Sequence, residues 1–160
     1  MIKKTTLSFW AIALLSGCKD SFKDNLITRI VSTCGNRPDC TIDIRAITKF
    51  KWDRMYIFQD WTTSDSIAKA IGHRYDRDDV PDDYSRILFT DGLKVVYEED
   101  IKSLPYYAST IEFRDLTDST GKSFMCTFTP LNAIFFAQKE KIKGGCDNCY
   151  LYSLIHKRNW

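Results

Sequence analysis

Cysteine is the residue type of this chain whose chemistry depends most on spacing, and the chain has six. Cys146 and Cys149 form a C-x-x-C pair, a spacing that serves thiol–disulfide exchange in some proteins and zinc binding in others. Exchange motifs of this type use the start of a helix to lower the pKa of the first thiol. This pair instead follows two glycines and precedes a run with strand character, so we expect a disulfide that closes a turn.

Cys34 and Cys40 form a second closely spaced pair. In an oxidising compartment we expect them to be disulfide-bonded, which joins the end of the first helix to the start of the first strand. A four-thiolate zinc site made from both pairs is the alternative, but Cys34 and Cys40 are widely spaced for it. Cys126, among apolar neighbours, is expected to be a buried thiol. No metal ion and no cofactor are predicted.

A strongly acidic run lies between residues 76 and 83. A calcium loop of the helix–loop–helix type needs a glycine at its sixth position and an acid at its twelfth, but Pro81 and Ile87 stand there. We therefore predict a solvated acidic loop, which suits a basic protein partner through complementary charge. Its candidate binding residues are Asp76, Asp78, Asp79, Asp82 and Asp83.

General bases are scarce, because His73 and His156 are the two histidines of the sequence. Neither lies in a nucleophile motif or has a metal-binding partner at helical spacing. Residues 120–123 end like a phosphate-binding loop, but Leu116 stands at the position of the first glycine and a β-rich run follows. We therefore predict a hairpin turn there, no catalytic residues, and a protein that is not an enzyme.

The N-terminus combines a positive start at Lys3 and Lys4, a short apolar run over residues 7–15, and small residues before Cys18. This pattern resembles the signal peptide and lipobox of bacterial lipoproteins. The resemblance implies that residues 1–17 are removed and that Cys18 carries fatty acyl chains such as palmitate. Residues 18–160 would then form a single periplasmic domain. An ordinary cleaved signal peptide is the alternative, since the apolar run is shorter than the roughly 20 residues of a spanning helix.

Charge bears on the partners and the location of the domain. The chain has 23 basic and 21 acidic residues, and removal of residues 1–17 takes away two lysines and no acid, which leaves 21 of each. A neutral domain lacks the basic excess typical of nucleic-acid binding, so no nucleic acid is expected. Lys19 follows Cys18, which by resemblance to enterobacterial sorting implies the periplasmic face of the outer membrane rather than the inner membrane.

Periodicity predicts an α+β domain with an N-terminal helix, a second short helix and a mostly antiparallel sheet of about seven strands. Ser21 is expected to cap the first helix, and Thr62 or Thr63 the second, which ends at Gly72. Asp91-Gly92 is the strongest hairpin signal. The segments with strand character are 42–44, 50–58, 86–90, 93–97, 110–116, 123–129, 133–138 and 150–155.

The run Phe-Lys-Trp-Asp-Arg-Met-Tyr-Ile-Phe over residues 50–58, with the helix that follows it, resembles a loose group of small, uncharacterised bacterial lipoproteins. The resemblance bears on placement and fold and implies no activity, ligand or catalytic residue. Within the run, Trp52 and Tyr56 are candidates for a binding platform, although aromatic residues on such a strand more often belong to the core.

These patterns predict a membrane-anchored, non-enzymatic lipoprotein that binds a protein or envelope component. An inhibitor or immunity protein acting on a periplasmic enzyme is one subclass. The alternative is an envelope thiol–disulfide redox protein, or another envelope enzyme, that uses Cys146 and Cys149.

Overall fold

The computed structural model describes residues 21–35, 37, 40–103, 108–114, 125–143 and 147–156. The predictions for the signal peptide, for Cys18 and Cys146, and for the turn at 120–123 lie outside these residues. Within the described part of the chain, no helix has the length and apolar composition needed to cross a membrane.

The first helix, α1, begins at the predicted N-cap. Its bounds are Phe22–Cys34, and the Ser21 hydroxyl accepts a hydrogen bond from the backbone N–H of Asp24 at 3.2 Å. This bond satisfies one of the free donors in the first turn, where the Asp24 carboxylate also favours the positive helix end. The buried side chains recur every four residues and form one stripe: Phe22, Leu26, Ile30 and Cys34.

Eight strands, one further α-helix and a short 3-10 helix at Ile44–Ala46 make up the other regular elements of the described fold. They are β1 (Cys40–Asp43), β2 (Arg54–Phe58), α2 (Ser64–Ile71), β3 (Tyr84–Asp91), β4 (Lys94–Lys102), β5 (Thr110–Arg114), β6 (Met125–Phe128), β7 (Ile134–Lys141) and β8 (Tyr150–His156). Sheet A has the strand order β1-β7-β8-β5, and sheet B has the order β4-β3-β2-β6. Neighbouring strands are antiparallel except β5 and β8, which are parallel.

The main core lies between the inner faces of the two sheets and is completed by α1. Aromatic edge contacts join the layers. The rings of Phe128 in sheet B and Phe135 in sheet A are 5.1 Å apart, and the rings of Phe22 in α1 and Phe89 in sheet B are 5.3 Å apart. Such pairs add about 0.5–1.5 kcal/mol to the burial of their area.

A second, smaller core lies on the outer face of sheet B. There α2 packs Ile67 and Ile71 over Phe58 of β2 and Leu88 of β3. Because side chains alternate between the two faces of a strand, β2 supplies Ile57 to the main core and Phe58 to the second. Strand β2, which lies within the run over residues 50–58, is therefore buried on both faces.

The Asp91-Gly92 hairpin prediction is confirmed by the pairing of β3 with β4. Gly92 has a φ of 63°, which favours glycine in this turn. Asp53 supports the turn from the side, since one of its oxygens accepts from the Thr90 hydroxyl at 3.0 Å and the other from the N–H of Gly92 at 3.1 Å. Asp53, which belongs to the run over residues 50–58, thus stabilises the neighbouring hairpin.

Two details of the predicted layout are corrected. The strands form two sheets rather than one, and the pairing of β5 with β8 is parallel. Phe50 and Trp52 alternate like strand residues, but they precede β2. They lie in a loop and reach the core from there. Phe50 stacks on Tyr97 at 5.3 Å between ring centroids, and Trp52 packs edge-on against Phe89 at 5.2 Å.

Candidate functional site

A short turn between β2 and α2 exposes a tryptophan. The N–H of Thr62 donates to the carbonyl of Gln59 at 3.3 Å and closes a turn in which Trp61 is the third residue. Trp61 has a φ of 62°, a left-handed conformation that favours glycine, and its side chain is 71% exposed. This conformation costs a bulky residue on the order of 1–2 kcal/mol. Because the indole is mostly exposed, its packing within the domain does not offset that cost.

The backbone of this turn is held from a second side by Val80. The N–H of Trp61 donates to the Val80 carbonyl at 3.2 Å, and the N–H of Val80 donates to the Thr62 carbonyl at 2.9 Å. Val80 is itself buried at 2% exposure. The indole therefore projects from a backbone that is fixed before any ligand arrives.

The helix that follows the turn starts at the predicted cap. The Thr63 hydroxyl accepts from the N–H of Ser66 at 3.3 Å, and the Asp79 carboxylate accepts from the N–H of Ser64 at 2.7 Å. At the other end Gly72 has a φ of 78° and closes the helix. Both ends of α2 are therefore fixed beside Trp61.

A groove of about 620 Å³ lies between α2 and strand β6 on the outer face of sheet B. It exists because α2 covers β2 and β3, whereas Met125 of β6, opposite Phe58 in the sheet register, stays 40% exposed. Trp61 is one of the residues that line the groove. The lining combines this apolar surface with a few polar groups: Phe58, Trp61, Thr62, Thr63, Ser66, Lys69, Ala70 and Met125.

A buried arginine attaches the acidic loop to sheet B behind α2. Arg86 is 3% exposed and forms two hydrogen bonds with the Asp100 carboxylate, at 2.6 and 2.7 Å. It also donates to the backbone carbonyl of Asp78 at 2.6 Å and to the Tyr75 hydroxyl at 3.0 Å. Burial alone lowers the pKa of Arg86, but the hydrogen bonds and charge of Asp100 outweigh it, so the pKa is raised.

Tyr75 takes part in the same network. Burial of its hydroxyl, followed by the neighbouring Glu98, raises the pKa of Tyr75 to about 12. The exposed side chain of Arg77 donates a hydrogen bond to the Glu98 carboxylate at 3.0 Å. The loop from Tyr75 onward is therefore tied to β3 and β4 at several points.

The five predicted acidic residues play different parts in this loop. Asp76 pairs with Arg74 at 2.5 Å, Asp78 offers its carbonyl to Arg86, and Asp79 caps α2. Asp83 has a left-handed φ of 64°, and Asp82 is exposed. The run is thus a surface loop that hydrogen bonds and an ion pair hold in place. Its contact with a basic partner stays a prediction.

Trp52 and Tyr56 do not form an exposed platform, which corrects their assignment as candidate binding residues. Trp52 is 7% exposed, and its indole N–H donates to the Thr48 hydroxyl at 2.8 Å. Tyr56 is 5% exposed and stacks on Phe58 in the second core. Trp52 belongs to the main core and Tyr56 to the second core, so the two side chains lie on opposite faces of sheet B.

The predicted disulfide between Cys34 and Cys40 is confirmed, with a Cα–Cα distance of 5.3 Å. It joins α1 to β1 and rules out a zinc site that uses both of these thiolates. Cys149 is disulfide-bonded and 1% exposed, whereas Cys146 lies outside the described residues. Cys126 is a thiol of intermediate exposure that packs against the main core.

Each of the two histidines has a ring nitrogen close to a backbone carbonyl. His73 Nδ1 lies 2.8 Å from the carbonyl of Arg74, and His156 Nε2 lies 2.9 Å from the carbonyl of Asn132. His156 also lies against Phe128 and Phe135, between the two sheets. Among the described residues, no three histidine, cysteine or acidic side chains come together as metal ligands.

Comparison with known protein families, with curated proteins and with solved structures found no match. Sequence patterns did not single out Trp61. Its signal was an aromatic residue in the Gln-Asp-Trp-Thr-Thr connection between a strand and a helix cap, where polar residues and glycine are usual.

Proposed function

We propose that this chain is a membrane-anchored bacterial lipoprotein that binds a protein or envelope component without catalysing a reaction. The observation that carries the proposal is Trp61, which is exposed, lines an apolar groove and has a backbone conformation that costs stability. Residues in such conformations concentrate at ligand-binding sites. Tryptophan is also among the side chains that contribute most to binding energy in protein interfaces.

The groove has the composition expected of a protein-binding site. Phe58 and Met125 supply an apolar floor, and Thr63, Ser66 and Lys69 supply a polar border. Methionine at a binding surface adapts its shape to a partner because its side chain is unbranched. The turn and both ends of α2 are held by hydrogen bonds, so little conformational entropy is lost on binding.

The acidic loop lies next to this groove, since Asp79 caps α2 and Val80 holds the Trp61 turn. A basic partner would be attracted to the exposed carboxylates of Asp78 and Asp82 while it inserts an apolar side chain beside Trp61. This combination suits an inhibitor or immunity protein that blocks a basic enzyme of the cell envelope. Charge would raise the association rate, and the groove would supply affinity.

The lipid anchor is supported by the resemblance at Cys18, and such an anchor would lie close to the start of α1. Only Lys19 and Asp20 lie between Cys18 and Ser21, which allows roughly 10 Å of extended chain. The Ser21 hydroxyl donates to Glu99 of β4 at 2.7 Å, on the inner face of sheet B. The groove lies beside β6 on the outer face, about 14 Å away across three strand spacings. The anchor and the binding surface therefore use opposite edges of one sheet.

Photo-crosslinking in cells tests the binding proposal. A photoreactive amino acid at position 61 of the full-length protein is expected to give a discrete adduct with one partner. The matched control is position 131, since Leu131 is 82% exposed but lies outside the groove. The same adducts from both positions, or none from position 61, would contradict a specific site at the groove.

Metabolic labelling with a fatty acid tests the anchor separately. Cys18→Ser is expected to abolish the label and to leave an uncut precursor, because the acylated sulfur precedes cleavage in the lipoprotein pathway that the N-terminus resembles. Label retained by the substituted protein would remove the lipid anchor from the proposal. Membrane fractionation then tests location at the outer membrane.

A further inference from the structure

Two turns of sheet B carry the most exposed large apolar side chains among the described residues. Leu93 is 73% exposed and Leu131 is 82% exposed. Leu93 lies in the two-residue turn between β3 and β4, and Leu131 lies in the turn between β6 and β7. Turns usually carry polar residues or glycine, so leucine at both tips indicates a contact outside the domain.

The sheet register places both turns at the same end of sheet B. Strand β3 runs into its turn beside Arg54, the first residue of β2, and β6 ends with Phe128 opposite Met55, the second residue of β2. The strand order β4-β3-β2-β6 separates the two turns by about two and a half strand spacings, which is roughly 12 Å. The two exposed leucines therefore lie on one surface.

The loop between β1 and β2 crosses this surface from one turn to the other. The N–H of Ile44 donates to the carbonyl of Ala133 at 3.0 Å, and the N–H of Asp53 donates to the carbonyl of Thr90 at 2.8 Å. We call the surface formed by residues 43–54, 90–95 and 129–133 the basic end. Its basic side chains are all exposed and outnumber its three acids: Arg45, Lys49, Lys51, Arg54 and Lys94.

The acids of the basic end are already engaged. Asp43 forms an ion pair with Arg45, and Asp91 forms one with Lys51. The third acid, Asp53, accepts the two hydrogen bonds that support the hairpin turn.

Two cations of the basic end are left for a partner. Arg54 and Lys94 form no ion pair with a described acid. Both lie beside the β3–β4 turn, since Arg54 is opposite Thr90 and Lys94 directly follows Leu93. The basic end thus combines exposed leucines with cations that can bind an anionic surface.

The opposite end of sheet B has the opposite charge. The acidic loop reaches it, because the N–H of Ser103 donates to the carbonyl of Asp83 at 2.7 Å, where β3 begins and β4 ends. The eight residues of β3 separate the two ends by about 25 Å, which is several times the Debye length of about 8 Å at physiological ionic strength. An anionic surface would therefore attract the basic end, and the acidic loop would be screened from it.

We propose that the basic end rests on an anionic phospholipid bilayer, with Leu93 and Leu131 inserted into the membrane interface. Protein segments that lie on a membrane use leucine or aromatic side chains to enter the interface and lysine or arginine to bind anionic headgroups. Arg54 and Lys94 supply the second part. The Trp61 turn follows the far end of β2, so its groove would face away from the membrane.

The lipid anchor of the proposed function, on which this orientation rests, favours the same arrangement. Ser21 bonds to Glu99 of β4, five residues or about 16 Å along the strand from Lys94. Acyl chains on Cys18 would hold the β4 edge close to the bilayer. Leu93 is then expected to enter the membrane more deeply than Leu131, because the β3–β4 turn lies at that edge.

Photo-crosslinking to lipid in cells tests the proposal. A diazirine amino acid at position 93 or 131 of the full-length protein is expected to give phospholipid adducts, identified by mass spectrometry, with the higher yield at position 93. Positions 61 and 31 are the matched controls, since Trp61 and Val31 are exposed apolar residues outside the basic end. Their lipid adducts should be at least about tenfold fewer, because neither position faces the bilayer in the proposed orientation.

Substitutions separate charge from insertion. They are made in full-length protein that carries the diazirine at position 131 and is reconstituted into vesicles of phosphatidylcholine and phosphatidylglycerol. Arg54→Gln and Lys94→Gln are each expected to lower the lipid adduct by up to about fivefold, the effect of one basic residue near an anionic surface. Leu93→Ser is expected to lower it severalfold.

Arg74→Gln is the matched control for charge, because Arg74 is an exposed arginine outside the basic end. It should leave the adduct yield unchanged. Vesicles of phosphatidylcholine alone should give the wild-type protein a lower yield, since they remove the negative surface. Circular dichroism shows whether each variant is folded.

Three results would overturn the proposal. They are protein adducts without lipid adducts at positions 93 and 131, equal lipid yields from positions 61 and 93, and an equal loss in Arg74→Gln and Arg54→Gln. Fatty-acid labelling decides the anchor separately. A labelled protein without lipid adducts at position 93 keeps the anchor and loses the basic-end contact, whereas an unlabelled protein with such adducts keeps the contact and loses the anchor.

Discussion

The carboxylate of Glu99 holds the N-terminus of α1 by accepting the backbone N–H of Phe22 at 2.7 Å. The same carboxylate accepts from the hydroxyls of Ser21 and Tyr97, each at 2.7 Å, so it serves as a second cap supplied by β4. Burial, followed by the hydrogen bond to Glu99, raises the pKa of Tyr97 and keeps its hydroxyl protonated. One strand residue thus fixes the helix that follows the proposed anchor.

Glu99→Gln is expected to lower the free energy of unfolding by about 1–2 kcal/mol, because it replaces a charged acceptor of several hydrogen bonds by a neutral one. Urea denaturation measures the change. Asp82→Asn is the control, since Asp82 is exposed, and should change stability by less than about 0.5 kcal/mol. Equal effects of the two substitutions would contradict the capping role.

Arg86→Met is expected to destabilise the domain by about 3–5 kcal/mol, because it leaves Asp100 partly buried without its charged partner. The double substitution Arg86→Met with Asp100→Leu should lose less than Arg86→Met alone, since no unpaired charge remains. Denaturant unfolding of both variants measures the difference. A double variant less stable than the single one would show that the network stabilises the loop beyond its charge balance.

Trp61→Gly is expected to remove partner binding while keeping stability or raising it by up to about 1 kcal/mol. Glycine adopts the φ of 62° without steric cost, and the exposed indole contributes little to the core. Leu131→Gly is the control, because Leu131 is exposed but does not have a positive φ. It should lose about 0.5–1 kcal/mol. A marked loss of stability in Trp61→Gly would assign the indole a structural role.

Replacing Cys34 and Cys40 by serine is expected to cost about 2 kcal/mol, since the bond closes a short loop in the unfolded chain. Mass mapping of the unreduced protein should find the two residues linked. Free thiols at both positions in periplasmic material would contradict a structural bond.

The pair Cys146 and Cys149 decides between the proposed binding function and the redox alternative. A bond that closes a turn should have a reduction potential below about −300 mV, whereas exchange proteins lie roughly between −120 and −270 mV. Redox titration of the full-length protein measures it. The burial of Cys149 favours the lower value. A potential in the exchange range, with a Cys146 thiol reactive well below pH 8, would favour the redox function.

Local signals predicted the helix ends and the hairpin correctly. The N-termini of the two helices are capped by Ser21 and Thr63, and α2 ends at Gly72, as predicted. The chain turns at Asp91-Gly92, also as predicted. These features depend on a few neighbouring residues, so the sequence contains their full cause.

Long-range pairing and the candidate site were not predictable in the same way. Alternation predicts strands over residues 110–116 and 150–155, but not that β5 and β8 lie parallel in a sheet separate from the hairpin. Trp61 belongs to a groove only because α2 stops short of β6.

The pairing of β1 with β7 sets the order in which the domain can fold. Cys40 lies opposite Ala137, almost a hundred residues later, whereas β2, β3 and β4 are consecutive in sheet B. Loop-closure entropy therefore favours early formation of the sheet B meander and late closure of sheet A. Until the C-terminal strands arrive, Ile42 and Phe113 have no sheet neighbours to cover them. A chain truncated before residue 134 should aggregate rather than form a stable smaller domain.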